Sequence, residues 1–377
     1  MSTENRDRAW VDVSASALRE NLQTIQDAVG AHVSMLPMVK ADAYGMGVAG
    51  VVAALEPMDP WGYGVAAVGE GLDLRSMGVK KPVLVCSPVP PGSYRSAVEG
   101  GLSVSISSLA GLASLEAASA ATGEPGRFHL EIDTGMGRAG IDWREVDEWG
   151  AVVVASASAG LVWEGCFTHF HSADGADENP TKTQWDRLLA TVDRLPSRPP
   201  NLMVHACNSP GSLRRPEFGG SLVRPGIFLY GGVAGECLPP PSPVASLRAR
   251  IVHIKEARAE DTVGYGSTYA ARGAERWATA AIGYGDGLPR LLSNRGEGVI
   301  RGRRAPIIGR ISMDVTVLDV SGIPGAELGD IVTFFGRSDG DEITVEEVAG
   351  HAGTINYEIL TGLTQRLPRT WTDDGGY

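Results

Sequence analysis

The chain has 377 residues, a formal net charge of −12 and a pI near 5.1. That acidity excludes nucleic acid and anionic membrane as expected partners. Hydrophobic residues make up 43% and charged residues 21%, an ordinary globular balance with room for two domains, one large enough for an α/β barrel.

Residues 1–8 are polar and charged and no apolar stretch follows them, so the expectation is a cytoplasmic enzyme without signal peptide or membrane span. Residues 10–13 alternate and predict a short strand. Ser14 or Ser16 then caps a helix with Leu18, Leu22, Ile25 and Val29 on one face. Eight apolar runs follow, at intervals of about twenty to thirty-five residues: 34–40, 62–68, 82–87, 102–107, 128–133, 163–168, 201–206 and 222–230. Helix-like stretches lie between them, among them 109–121, and 181–195 with Trp185, Leu188, Leu189, Val192 and Leu195 at helical spacing. Strand and helix alternating eight times predict an α/β fold with a (β/α)₈ barrel over 14–236. A doubly wound sheet is the alternative, but no G-x-G-x-x-G opens the first helix.

The pattern breaks at 237–243, where four prolines in five positions make a linker. Beyond it the runs 248–257, 277–282, 298–308, 314–320 and 330–335 are short, alternating and separated by turn residues, which predicts a mostly-β domain over 244–377. It includes a helix-like segment at 344–363, a last strand at 366–371 and a frayed tail at 373–377, and the strand within 1–13 is expected to pair with it. Cys86, Cys166, Cys207 and Cys237 are widely spaced without a CxxC pair, so neither a zinc site nor a disulfide framework is expected. The first three read as reduced, buried hydrophobes.

A barrel of this kind carries its active site at the C-terminal ends of its strands. The first run ends on Lys40, then Tyr44, Gly45 and Gly47. An amine at the end of an apolar strand is costly to bury unless it is neutralised, and a readily neutralised amine can form a Schiff base with an aldehyde cofactor. The fifth run leads into Asp133 and Arg138, the sixth into His169, the seventh into Asn208 and Ser209, and the eighth contains Arg224. Taken singly each has a bland reading: His169 a core histidine, Arg224 a structural ion pair, Ser209 a helix cap. Their joint position at strand ends favours a common mouth.

Met38-Val-Lys-Ala-Asp-Ala-Tyr-Gly-Met-Gly47, Ile132-Asp-Thr-Gly-Met-Gly-Arg138, Phe167-Thr-His-Phe170, Asn208-Ser209, Val263-Gly-Tyr-Gly266, Ile282-Gly-Tyr284, Gly309-Arg-Ile-Ser-Met-Asp314 and Thr354-Ile-Asn-Tyr357 resemble the motifs of the alanine racemases. They occur in the family's order and span nearly the whole chain. The resemblance implies pyridoxal 5'-phosphate as cofactor, L-alanine and D-alanine as substrates, D-alanine supply for the cell wall, and a homodimer with shared active sites. Lys40 would hold the cofactor and act as the base on one face of the substrate. Tyr265, from the partner copy, would act on the other. Tyr44, Ser209, the backbone of Gly226 and Ile227, and Tyr357 would hold the phosphate. Arg224 would face the pyridine nitrogen and His169 would link it toward the tyrosine. Arg138 and the Met313 backbone would take the substrate carboxylate, Tyr284 would narrow the entrance, and Glu131, Asn208 and Asp314 would support them. No metal is implied.

Two departures stand out. Glu131 replaces a lysine that many members carry as a carbamate, and is expected to orient Arg138 as a fixed anion. Met46 stands where histidine is usual. The competing readings are a racemase of serine or of broad range, a decarboxylase of the same architecture, which lacks its expected glycine run and cysteine here, and a silent binder, which intact Lys40 and Tyr265 oppose.

Overall fold

The computed structural model describes residues 6–338 and 340–373; residues 374–377 of the tail expected at 373–377 lie outside the described residues. After β1 (Ala9–Ser14), a helix runs over Ala15–Val29, capped by the Ser14 hydroxyl, which accepts from the Ala17 amide at 3.1 Å. Eight short parallel strands then form a ring among the described residues: β2 (Ser34–Met35), β3 (Tyr63–Val65), β4 (Val83–Pro88), β5 (Ser103–Ile106), β6 (Arg127–Asp133), β7 (Val162–Phe167), β8 (Met203–His205) and β9 (Leu222–Val223). β3 to β8 pair in sequence order, as in Val104↔Phe128 and Cys166↔Val204. β9 pairs with β2, the Met38↔Gly64 bridge joins β2 to β3, and the amides of Ser221 and Arg224 donate to Val204 and Cys207 to join β8 to β9. Both faces are covered, and Val83, Leu84, Phe128, Leu130 and Ile132 are fully buried.

Four elements differ from the sequence reading. The first run is a strand only at Ser34–Met35, because Lys40 already begins a tight turn over Lys40–Tyr44. The eighth run is a strand only at Leu222–Val223; Pro225 and Gly226 stop it and a 3₁₀ turn covers Ile227–Tyr230. The run 298–308 is a hairpin, Glu297–Ile300 against Arg303–Pro306, whose turn residues Arg301 and Gly302 both have positive φ (50° and 70°), the geometry that matches strand twist. The helix-like segment is two helices, Val345–Ala352 and Asn356–Thr361. Cys166 and Cys207 are buried, but Cys86 is only half-buried.

The second sheet is organised on the long strand Ala245–Ala257, which pairs antiparallel with Glu275–Ala280, with Ile331–Ser338 and with β1. β1 also pairs parallel with Arg369–Thr372, so the chain's first strand lies inside the second domain's sheet. The helix Asn356–Thr361 rests on the Lys40 turn, and the Arg369 guanidinium donates to the Gly45 carbonyl at 2.9 and 2.6 Å. No helix among the described residues is long and apolar enough to cross a membrane.

Candidate active site

At the C-terminal ends of the barrel strands lies a cavity of about 410 Å³. Lys40 enters it from an unusual turn. Ala41, Asp42, Ala43 and Tyr44 all have φ of 53–54°, a left-handed turn that costs L-residues about 1–2 kcal/mol each. Four side-chain hydrogen bonds hold it: the Glu70 carboxylate accepts from the amides of Ala41 (2.7 Å), Ala66 (2.8 Å) and Ala67 (3.1 Å), and Asp42 accepts from the Val48 amide (2.8 Å). Strain of this order persists only where surrounding structure enforces it, which is typical of functional turns. Tyr44 stacks on Tyr230 at 4.6 Å, and the Tyr230 hydroxyl donates to the Met38 carbonyl at 2.8 Å. Met46 is fully buried in the apolar core, so its site calls for no hydrogen bond.

Ser209 opens the helix Ser209–Arg214, which Asn208 caps by accepting from the Gly211 amide at 3.1 Å. The Ser209 hydroxyl oxygen accepts from the amides of Gly226 (2.8 Å) and Phe228 (3.4 Å), which leaves its proton free to donate. Arg224, 4% exposed, donates from Nη1 to His205 Nδ1 (2.6 Å) and from Nη2 to the carbonyls of Thr168 and Ala206 (2.9 Å each). Its Nη2 also lies 3.3 Å from His169 Nδ1. Burial and the Arg224 charge push His169 down to about 3, so it is neutral. Arg138 lines the cavity and, like Lys40, has no salt-bridge partner among the described residues.

Glu131, 5% exposed, accepts a 2.6 Å bond from the Ser107 hydroxyl. Burial raises its carboxyl above the usual range, and Ser107, Arg224 and Arg138 oppose that rise. It shares the cavity with Arg138, but its hydrogen bond goes to Ser107 and no ion pair joins it to Arg138. Three cations, Lys40, Arg138 and Arg224, thus face this one carboxylate, and the cavity is electropositive on an acidic chain.

Lys40, Tyr44, Glu131, Arg138, His169, Asn208, Ser209, Arg224, Gly226, Ile227 and Tyr357 all line this cavity. Tyr265, Tyr284, Met313 and Asp314 do not; all four lie in the β-domain. Tyr265, Met313 and Tyr284 are 69%, 52% and 41% exposed. The Tyr284 amide donates to the Ser312 carbonyl (3.0 Å) and the Gly285 amide to the Met313 carbonyl (2.9 Å), which keeps Tyr284 beside Met313. Asp314 accepts from Arg366 at 2.7 Å. Sequence reasoning missed Phe167, whose ring lies 5.2 Å below the Arg224 guanidinium, and Cys86, a cavity-lining thiol that burial pushes up to about 11. It also missed His205; the available signal was its place one residue before the end of the seventh run.

Known proteins resemble the chain over most of its length. The family description "Alanine racemase, N-terminal domain" matches residues 13–234, and "Alanine racemase, C-terminal domain" matches residues 244–371. The alanine racemase of Halothermothrix orenii is 35% identical over 371 residues, covering 97% of each chain. That of Citrifermentans bemidjiense is 37% identical over 370 residues, covering 95% of this chain and 97% of the other. Among solved structures, the alanine racemase from D-cycloserine-producing Streptomyces lavendulae superposes with a TM-score of 0.91 at 31% identity over 97% of each chain. The enzyme from Streptomyces coelicolor A3(2) gives 0.90 at 32% identity, over 97% of this chain and 98% of that one.

Proposed function

The chain belongs to the alanine racemase family and is an enzyme that interconverts L- and D-alanine, and on that premise we propose that it works with pyridoxal 5'-phosphate in the barrel mouth and two proton carriers, Lys40 and Tyr265. The observation that carries this reading is the convergence of an amine without a salt-bridge partner among the described residues, two arginines and a serine hydroxyl on one cavity.

The residues fit that cofactor. Three cations against one carboxylate suit a cavity that takes an anionic cofactor and a substrate carboxylate. The hydroxyls of Tyr44 and Tyr357 and the Nε of Arg224 have no protein partner among the described residues, and each faces or borders the cavity with a donor to offer. Tyr44, Ser209, Tyr357 and the backbone of Gly226 and Ile227 would hold the phosphate. Arg224 would face the ring nitrogen, where a guanidinium offers only donors and gives up no proton. When bound, the cofactor supplies an aldehyde for an amine and an electron sink for the pair left as the α-proton departs.

Racemisation needs a proton taken from one face and another delivered to the opposite face. Lys40 Nζ serves one face and Tyr265 Oη the other. A phenol has an ordinary pKa of about 10, so Tyr265 needs cationic surroundings to act near neutrality, which Arg224 supplies through His169. Arg138 and the Met313 amide orient the substrate carboxylate, and Tyr284 narrows the entrance to favour a methyl side chain. Asn208 and Asp314 act indirectly, through the Ser209 helix and through Arg366. Glu131 acts as a buried anion that balances Arg138 and Arg224.

Tyr265 and Met313 are exposed and stand apart from their own chain's cavity, which supports a homodimer in which each copy completes the other's site. The enzyme would work in the cytoplasm and supply D-alanine for the cell wall. The test is a chiral assay of purified protein on L-alanine, with α-proton exchange in heavy water and with and without added cofactor. Racemic alanine and α-deuteration are expected; optically unchanged, undeuterated alanine contradicts the reading.

A further inference from the structure

Behind the site, inside the barrel, a line of buried polar groups is not used by the mechanism above. His205 Nδ1 lies 2.6 Å from Arg224 Nη1, and His205 Nε2 lies 2.8 Å from His129 Nδ1. His129 Nε2 lies 3.8 Å from Glu164 Oε2, beyond direct hydrogen-bond reach, and has no hydrogen-bond partner among the described residues. Glu164 is in turn held by the Ser103 hydroxyl and by Arg127 Nη1 at 2.8 Å. Both histidines are fully buried, and the Glu164 side chain is 19% exposed. The line crosses from β8 to β6 and reaches β7 at Glu164.

We propose that His205 and His129 form a one-directional hydrogen-bonded column, turned toward the Glu164 carboxylate, that fixes the orientation of the Arg224 guanidinium, and that all three are positioning residues for the reaction. The direction follows from donor counting. A guanidinium only donates, so His205 Nδ1 must present a lone pair to it. A neutral His205 then carries its proton on Nε2 and donates to His129. His129 must therefore accept at Nδ1 and carry its own proton on Nε2, aimed at the carboxylate. A proton added to either ring would set two donors against each other, at Arg224 or between the rings. The charged groups facing the pair are Arg224 at one end and Glu164 with Arg127 at the other. Burial and Arg224 push His129 down to about 3 and His205 well below its usual value, consistent with two neutral rings.

The packing is built for this column. Gly165 pairs with His129 across β6 and β7, and a Cβ there would lie 2.3 Å from His129 Nδ1. Any side chain at 165 would break the contact between the rings. Phe167 stacks on His205 at 5.1 Å with planes 7° apart, which fixes the ring's rotation. The role for Arg224 rests on the reading that this arginine faces the cofactor; the column itself does not.

The experiment is nitrogen-15 NMR of the full-length protein with labelled histidine, with and without pyridoxal phosphate, followed by Glu164→Gln and His205→Asn. In the wild type, both rings should be neutral with the proton on Nε2 at every pH at which the protein stays folded. A proton on Nδ1 of either ring, or titration near the ordinary histidine value, overturns the column, and this readout needs neither variant nor cofactor. His205→Asn keeps an acceptor for Arg224 but cuts the line, and Glu164→Gln removes its terminal charge. Each should shift the absorption of bound cofactor and lower kcat about tenfold with little change in KM for alanine. Unchanged absorption and kcat in both overturns the positioning role. A wild type that binds no cofactor instead overturns the functional reading, and is seen before any variant is made.

Discussion

Glu131 is buried near two arginines, and desolvation raises its carboxyl against the opposing effect of Ser107, Arg224 and Arg138. Its folded-state carboxyl is raised above the unfolded value, so folding favours the protonated form. The stability this group contributes is complete below the unfolded carboxyl pKa and is lost as pH rises through the folded one. Glu131→Gln removes that loss while keeping an acceptor for Ser107. The variant should melt at the same or a higher temperature than wild type near neutrality, with the difference vanishing in acid, while alanine racemisation falls; thermal scans across pH and a chiral assay check both. At this scale the sequence was readable where a residue followed a strand in the chain: Lys40, Arg138, His169 and Ser209 all reach the cavity. It was mute for Phe167 and Gly165 and gave His205 only its place near a run's end, because strands buried on both faces show no alternation to tell inward from outward.

The turn Lys40–Tyr44 couples the two domains. Its positive φ values carry no local signal, since Ala-Asp-Ala-Tyr contains no glycine or asparagine; the force comes from Glu70, on a later helix. Glu70→Ala should cost about 1–3 kcal/mol through three lost charge-assisted bonds, measured by urea unfolding, and should loosen cofactor binding. Gly45 has φ of +80°, and a Cβ there would lie 2.3 Å from the Leu360 carbonyl. Gly45→Ala should therefore push the helix Asn356–Thr361 and its Tyr357 off the cavity, destabilise by about 2 kcal/mol or more, and weaken cofactor retention. The hairpin over 297–306 was read as one strand for a related reason: its turn is Arg-Gly, not the Asn-Gly that announces such a turn.

In the whole molecule, the expected site residues are divided between a barrel cavity and exposed positions of the β-domain. Eight strand–helix alternations and a proline-rich break made this two-part architecture legible from the chain, while it belongs to tertiary structure alone that Tyr265 does not line the cavity Lys40 enters. If each site is completed by a sister copy, Lys40→Ala and Tyr265→Phe disable different halves of the same site. Each variant alone should lose activity by about two orders of magnitude or more. The measurement that decides is co-expression of the two variants as differently tagged chains, with alanine racemisation assayed on the purified mixture. Random pairing makes half the dimers mixed, each with one intact site, so about a quarter of wild-type activity should return. Mixed dimers as inactive as their parents would show that Lys40 and Tyr265 do not meet across a subunit boundary.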